Sequence, residues 1–166
     1  TNQFNLTTKR YAEEDIKAFL QNPDYKIYTL DLSDKFGKAG LVGLMILNRR
    51  EGSKWRIDTF CLSCRAVKHT IEDAFMAQVA KDLKRENVNS LLGIYRPTES
   101  NVLVKDLYKN SGFTKIRSAD GQTDDSENLW EIDLNENDLK IPEWIIVSKD
   151  NLVPVSSHYE DINSSL

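Results

Sequence analysis

The sequence predicts one α/β domain, a mixed and mostly antiparallel sheet flanked by helices. Three observations predict it. Strand-length apolar segments cover residues 25–32, 40–47 and 55–62 and are parted by polar turns. After residue 65 the apolar period changes from two to 3.6, as a helix on a sheet requires. A short apolar run, Ser90 to Tyr95, is then followed by a further helical segment and two more strand candidates.

Each element has a local reason. Phe4 to Thr7 forms a short first strand, and Thr8 caps a helix with Glu13, Glu14 and Asp15 near its positive end. Ile16, Phe19 and Leu20 give that helix one apolar face, and Asn22-Pro23 stops it. Gly40 to Leu47 is almost continuously apolar, as in a strand covered on both faces. Arg49 to Ser53 makes a polar turn into the next strand. Ile71, Phe75, Val79 and Leu83 define the buried stripe of the second helix, with Lys81, Asp82, Lys84 and Arg85 opposite. A third helix is expected from about Ser100 to Asn110, with Val104, Leu107 and Tyr108 inward and Gly112 as its left-handed cap. Phe113 to Ile116 and Leu129 to Leu134 close the sheet around an acidic, polar loop at 118–128.

The bulk numbers fit this picture. At 166 residues the chain holds one domain. Its 40% hydrophobic and 29% charged content excludes a wholly disordered chain. A net charge of −4 with no basic run argues against nucleic acid as a partner. No apolar stretch nears the ~20 residues of a membrane span. The start at Thr1, without methionine, is expected to be an excision point from a longer protein. Cys61 and Cys64 have C-x-x-C spacing, but no second Cys or His pair accompanies them; reduced, non-ligating thiols in a cytoplasmic protein are expected, with no metal. The domain is expected to span 1–134. Residues 135–166 form an extension whose Trp144-Ile145-Ile146-Val147 patch needs cover from this domain or a neighbour.

The element order, with a helix-start loop after the fourth strand, resembles the GNAT acetyltransferase superfamily. Phe60 to Thr70 resembles that family's pyrophosphate loop. Asn101 to Phe113 is similar to its N-x-x-A-x-x-x-Y-x-x-x-G-F segment. Thr1-Asn2-Gln3-Phe4-Asn5, Ile57-Asp58-Thr59-Phe60 and Leu62-Ser63-Cys64-Arg65 look like the C-terminal domain of a two-domain group. In that group a haloacid-dehalogenase-like domain precedes a GNAT-like one. Its members load a glyceryl unit onto acyl carrier protein for methoxymalonyl-type polyketide extender units. The likeness covers about residues 1–134, and the dehalogenase motifs are absent from this chain.

This resemblance implies coenzyme A or a carrier-bound phosphopantetheine as cofactor, lying where the fourth and fifth strands splay apart. It assigns contacts to Leu62, Cys64, Arg65, Lys68, His69, Thr70 and Asn101. Backbone N–H groups at a helix start favour an anion there, and Arg65 adds a fixed charge. Lys68 and Thr70 stand where the family prefers small residues or glycine, and a left-handed non-glycine costs about 1–2 kcal/mol. A carrier's single phosphate demands less of such a loop than a diphosphate.

Tyr108 matches the family position that protonates a leaving thiolate; the alternative is a plain core aromatic. Asp58 is a candidate base and Cys64 lies at the loop mouth, each with a structural role as the alternative. Asn101 caps its helix or bonds pantetheine; His69 has a surface role, and His158 is assigned none. Three readings follow. The first is a domain of a glyceryl transferase that binds the pantetheine arm or acyl carrier protein; whether it catalyses alone stays open. The second is an acetyl-CoA-dependent N-acetyltransferase. The third is a non-catalytic docking module.

Overall fold

A computed structural model of the chain describes residues 3–64, 66, 70–116 and 127–148. Its elements, in order, are α1 (Glu13–Gln21), β1 (Tyr25–Asp34), β2 (Gly37–Arg49), β3 (Lys54–Leu62), α2 (Ile71–Arg85) and β4 (Ser90–Tyr95). A 3-10 turn (Val102–Val104), α3 (Leu107–Asn110), β5 (Thr114–Ile116) and β6 (Asn128–Asp133) complete it. The six strands form one sheet in the order β1-β2-β3-β4-β6-β5. Every pairing is antiparallel except β3 with β4, joined in parallel by the α2 crossover.

One continuous core seals α2 onto the sheet. Phe75, Met76, Val79 and Leu83 of α2 pack with Met45, Leu47, Trp55, Ile57 and Phe60 of β2 and β3. Tyr108 and Phe113 extend the same core beneath β4. A smaller cluster gathers Val42, Ala66 and Ile71, and Ile145 of the C-terminal extension packs against it. The extension therefore covers part of this domain with Leu139 and Ile145, while Trp144 and Ile146 stay exposed.

The geometry that matters arises in β3. Its pairing with β2 slips between Ile46 and Leu47, because Leu47 faces Ile57 whereas Ile46 faces Thr59. Asp58 is thus the extra residue of a bulge, and a bulge bends and twists its strand. On the other edge, β3 pairs with β4 only from Lys54↔Ser90 to Ile57↔Gly93. Beyond the bulge the two strands part. At the paired end Lys54 of β3 and Ser90 of β4 both bond Glu131 of β6, stapling three strands.

Three expectations need correction. The first helix starts at Glu13, not at Thr8. Thr8 is left-handed (φ 59) with its N–H on the Asn5 side chain, and the Asp15 carboxylate accepts the Ala12 N–H. That helix buries no residue fully, and Leu20 is half exposed; its hold on the sheet is Phe19, stacked on Tyr25 at 4.3 Å. The helix expected over 100–110 breaks into the 3-10 turn and a single α-turn. Val102 and Val104 are poor helix formers, and tertiary contacts of Asn101 and Tyr108 set the backbone instead. Gly112 is left-handed (φ 86), as its sequence position suggests. No helix among the described residues is long and apolar enough to cross a membrane.

Candidate functional site

The parting of β3 and β4 leaves main-chain groups of both strands without a sheet partner. Such groups must be satisfied if buried. The chain satisfies them itself, by laying residues 4–7 into the gap. Asn5 makes an antiparallel bridge to Cys61. On the β3 side, the Leu6 N–H donates to Phe60 O (3.3 Å), the Leu62 N–H donates to Phe4 O (3.2 Å), and the Thr7 hydroxyl donates to Asp58 O (2.9 Å). On the β4 side, the Arg96 N–H donates to Leu6 O (2.8 Å). Phe4 and Leu6 turn into the core, Phe4 edge-on to Phe60 at 5.2 Å. The first strand expected at Phe4 to Thr7 does not form: only Asn5 makes a bridge, in an irregular segment inserted in mid-sheet.

Asn101 locks this insertion. Fully buried, it donates from Nδ2 to Asn5 O and to Arg96 O, both at 2.9 Å, while its Oδ1 accepts from the Thr98 N–H (2.8 Å). It makes no side-chain cap bond to the turn that follows. Of its two expected roles, capping is absent, and its amide bonds main-chain carbonyls of the chain itself. Leu62, expected to face a ligand, has its N–H on Phe4.

Tyr108 lies under the vertex of the gap. Gly93, the last residue of β4 paired with β3, has no side chain, and a Cβ there would sit 2.5 Å from the Tyr108 ring. The ring is 1% exposed and packs against Phe113. Its hydroxyl has no hydrogen-bond partner among the described residues. Burial pushes its pKa far above the ordinary phenol value, and the Ile94 backbone, outside hydrogen-bond geometry, offsets only part. In this closed arrangement the hydroxyl is a core group, poorly placed to give a proton to anything in solvent.

Asp58 belongs to a separate group. It is 3% exposed, with Lys9 Nζ at 2.5 Å and Arg56 at 3.7 Å from one oxygen. The Tyr11 hydroxyl donates to its other oxygen, and Asn48 Nδ2 lies at 3.4 Å from the first. The carboxylate is thus occupied by donors. That bonding is what a structural ion pair looks like.

At the loop mouth Cys64 is an exposed free thiol, and Cys61 is half-buried, its pKa raised by burial. Thr70, just before α2, is left-handed (φ 56, ψ 19), the conformation for which glycine is favoured. Arg65, Lys68, His69 and His158 lie outside the described residues, as does most of the loop expected at 118–128. Sequence reasoning missed Glu72 and Asp73 in the first turn of α2. They already compensate the helix dipole and repel a phosphate where its N–H groups would attract one. Among the described residues no group of three or more His, Cys, Asp or Glu could hold a metal.

No protein-family model and no curated protein sequence matches the chain. Solved structures do match in three dimensions. An acetyltransferase of the GNAT family from Staphylococcus aureus superposes with a TM-score of 0.57 at 14% identity, covering 73% of this chain and 75% of its own. The ribosomal-protein-S18-alanine N-acetyltransferase of Escherichia coli gives 0.56 at 13% identity, with 86% of each chain covered.

The fold is the GNAT fold.

The PaiA N-acetyltransferase of Thermoplasma acidophilum, solved in complex with coenzyme A, gives 0.54 at 16% identity, covering 74% of this chain and 80% of its own. Within a GNAT fold, then, this chain occupies its own β3–β4 gap.

Proposed function

We propose that this GNAT-fold domain serves an acyl transfer onto a carrier protein, as in glyceryl-to-acyl-carrier-protein transferases. It engages the carrier's phosphopantetheine arm, or the carrier protein itself, rather than free coenzyme A. The observation that carries this reading is the β3–β4 gap. Its main-chain donors and acceptors, with Asn101, already hold residues 4–7, which bridge to β3 at Asn5. An amide-bearing pantetheine arm offers main-chain-like donors and acceptors of the same kind, so it enters by exchange with that segment. Glu72, Asp73 and the left-handed Thr70 at the start of α2 count against a diphosphate. The fold is equally compatible with acetyl-CoA-dependent N-acetyl transfer, which the same three residues disfavour. A preceding haloacid-dehalogenase-like domain would supply the acyl unit.

Calorimetric titration tests the reading. The domain is titrated with holo-carrier, apo-carrier and coenzyme A, alongside an Asn101→Ala variant that loosens the segment. Holo-carrier is expected to bind more tightly than apo-carrier, and coenzyme A to bind least. Equal, negligible binding of both carrier forms by both proteins would overturn it. A second reading has its own support. Phe4 and Leu6 belong to the core; on this reading they keep the gap filled, and the domain only docks other domains. Failure of every ligand with both proteins would favour that reading.

A further inference from the structure

The two edges of the sheet are unlike. β5 is three residues long, too short to present much to a foreign strand. β1, at the other end of the strand order, runs for ten residues and has a neighbour on one side only. It contains no proline and no bulge of its own; the residues skipped in its pairing, Ala39 and Val42, belong to β2. A long edge strand without such breaks is a template for a further strand.

Alternation fixes which groups that edge presents. The Arg49 N–H donates to Asp24 O, and the main-chain groups of successive strand residues point to opposite sides. Lys26, Tyr28 and Leu30 therefore bond β2, while Ile27, Thr29, Asp31 and Ser33 turn their N–H and C=O groups outward. The Tyr25 N–H, which donates back to Asn22 O, points the same way. Among the described residues, the main chains of those four bond nothing beyond β2. Side chains alternate too. Tyr28, Leu30 and Leu32 are half-buried on the α2 face, where Lys26 pairs with Glu86; Thr29, Asp31 and Ser33 are exposed on the other.

Two further features lie at opposite ends of this strand. At its start a groove of about 480 Å³ is lined by Phe19 and Leu20 of α1, Tyr25 and Tyr28 of β1, and Glu86 of α2. Phe19 stacks on Tyr25, on the face away from α2, so a groove that touches both helices opens across the outer edge. At the far end, the turn into β2 carries Phe36, which is 85% exposed.

We propose that two copies of this chain pair through their β1 edges, antiparallel about a two-fold axis at Leu30, each bringing its Phe36 turn to the other's groove. Hydrogen bonds form only where outward residues meet outward residues, so odd positions face odd and even face even. Of the registers this allows, centring on Asp31 sets two carboxylates against each other. Centring on Thr29 sets Asp31 against Ile27 and Lys26 against Leu32, and centring on Tyr28 sets Lys26 against Leu30. Centring on Leu30 sets Leu30 against Leu30, Tyr28 against Leu32 and Thr29 against Asp31, with Ile27 against Ser33 as its mixed pair. Like meets like on both faces, which is the unit of sheet stabilisation. The same register brings residues 35–36 of one copy beside residues 24–25 of the other, where the groove opens. A two-fold axis closes the pair and uses up both edges. The proposal does not depend on the carrier-protein reading, because the β3–β4 gap lies in mid-sheet.

Sedimentation of the full chain, combined with residue-resolved amide hydrogen exchange, tests it. A dimer is expected, with Phe36→Asp weakening it about tenfold; that position is exposed, so folding is not at risk. Thr29→Pro removes an outward N–H, leaves the bonds to β2 in place and is expected to weaken the dimer at least as much. Circular dichroism checks that both variants stay folded. In the dimer the Ile27, Thr29, Asp31 and Ser33 amides are expected to exchange about tenfold or more slowly than in Phe36→Asp, while Lys26, Tyr28 and Leu30 are protected in both. A monomer at up to about 1 mM, whether its edge amides exchange freely or are covered by another part of the chain, would overturn the proposal. So would a dimer whose edge amides stay unprotected, or one that both substitutions leave unchanged.

Discussion

The gap above Asp58 and a hollow beside it are treated in opposite ways. The gap is lined by main-chain groups of two parted strands and is filled by residues 4–7. The hollow is lined by charged side chains and is left open. The difference is one of solvation. Unpaired backbone buried in the sheet has no access to water and must find a protein partner, whereas long cationic side chains at a rim reach water at little cost. The bulge at Asp58 creates both. It turns β3 away from β4, and it places a carboxylate where Lys9, Tyr11, Asn48 and Arg56 converge.

The strongest way to break this comparison is to empty the gap. Phe4→Ala removes a ring packed in the core against Phe60 and is expected to cost about 3–5 kcal/mol in denaturant unfolding. A loss below about 1 kcal/mol, the level of a surface change, would mean that the segment is only loosely seated. Next in size is the vertex. Gly93→Ala puts a methyl group against the Tyr108 ring and is expected to destabilise by about 1–3 kcal/mol, or more if β4 cannot shift. A neutral result would show that Tyr108 has room to move toward the gap, which would revive it as a proton donor. The smallest effect is at the mouth. Thr70→Gly relieves a left-handed β-branched residue and is expected to stabilise by about 1 kcal/mol, seen as a raised unfolding midpoint. It should not create coenzyme A binding, because Glu72 and Asp73 remain at the helix start.

Much of the fold was legible because its signals are local. Apolar runs bounded by turn residues placed β1, β2 and β3, and the four-residue recurrence of Ile71, Phe75, Val79 and Leu83 placed α2. The candidate site was legible only in part. The apolar Phe4 and Leu6 suggested a strand, but only Asn5 bridges, and which strands the segment lies between was not legible, since side-chain alternation carries no information about partners. Asn101 was visible as a polar residue at a helix start; its bonds to Asn5 and Arg96 come from far along the chain or from loop geometry. Glu72 and Asp73 look like ordinary first-turn acids, and only the setting turns them into a barrier to phosphate. The third helix was overread because periodicity at Val104, Leu107 and Tyr108 survives even where the backbone between them is broken.

The seat of residues 4–7 has a kinetic corollary. The Asn101–Asn5 bond spans 96 positions and the Thr7–Asp58 bond spans 51. These are among the costliest loops to close, and they can form only once β3, β4 and the turn at residue 101 exist to receive them. Residues 4–7 would therefore be among the last parts of this domain to settle.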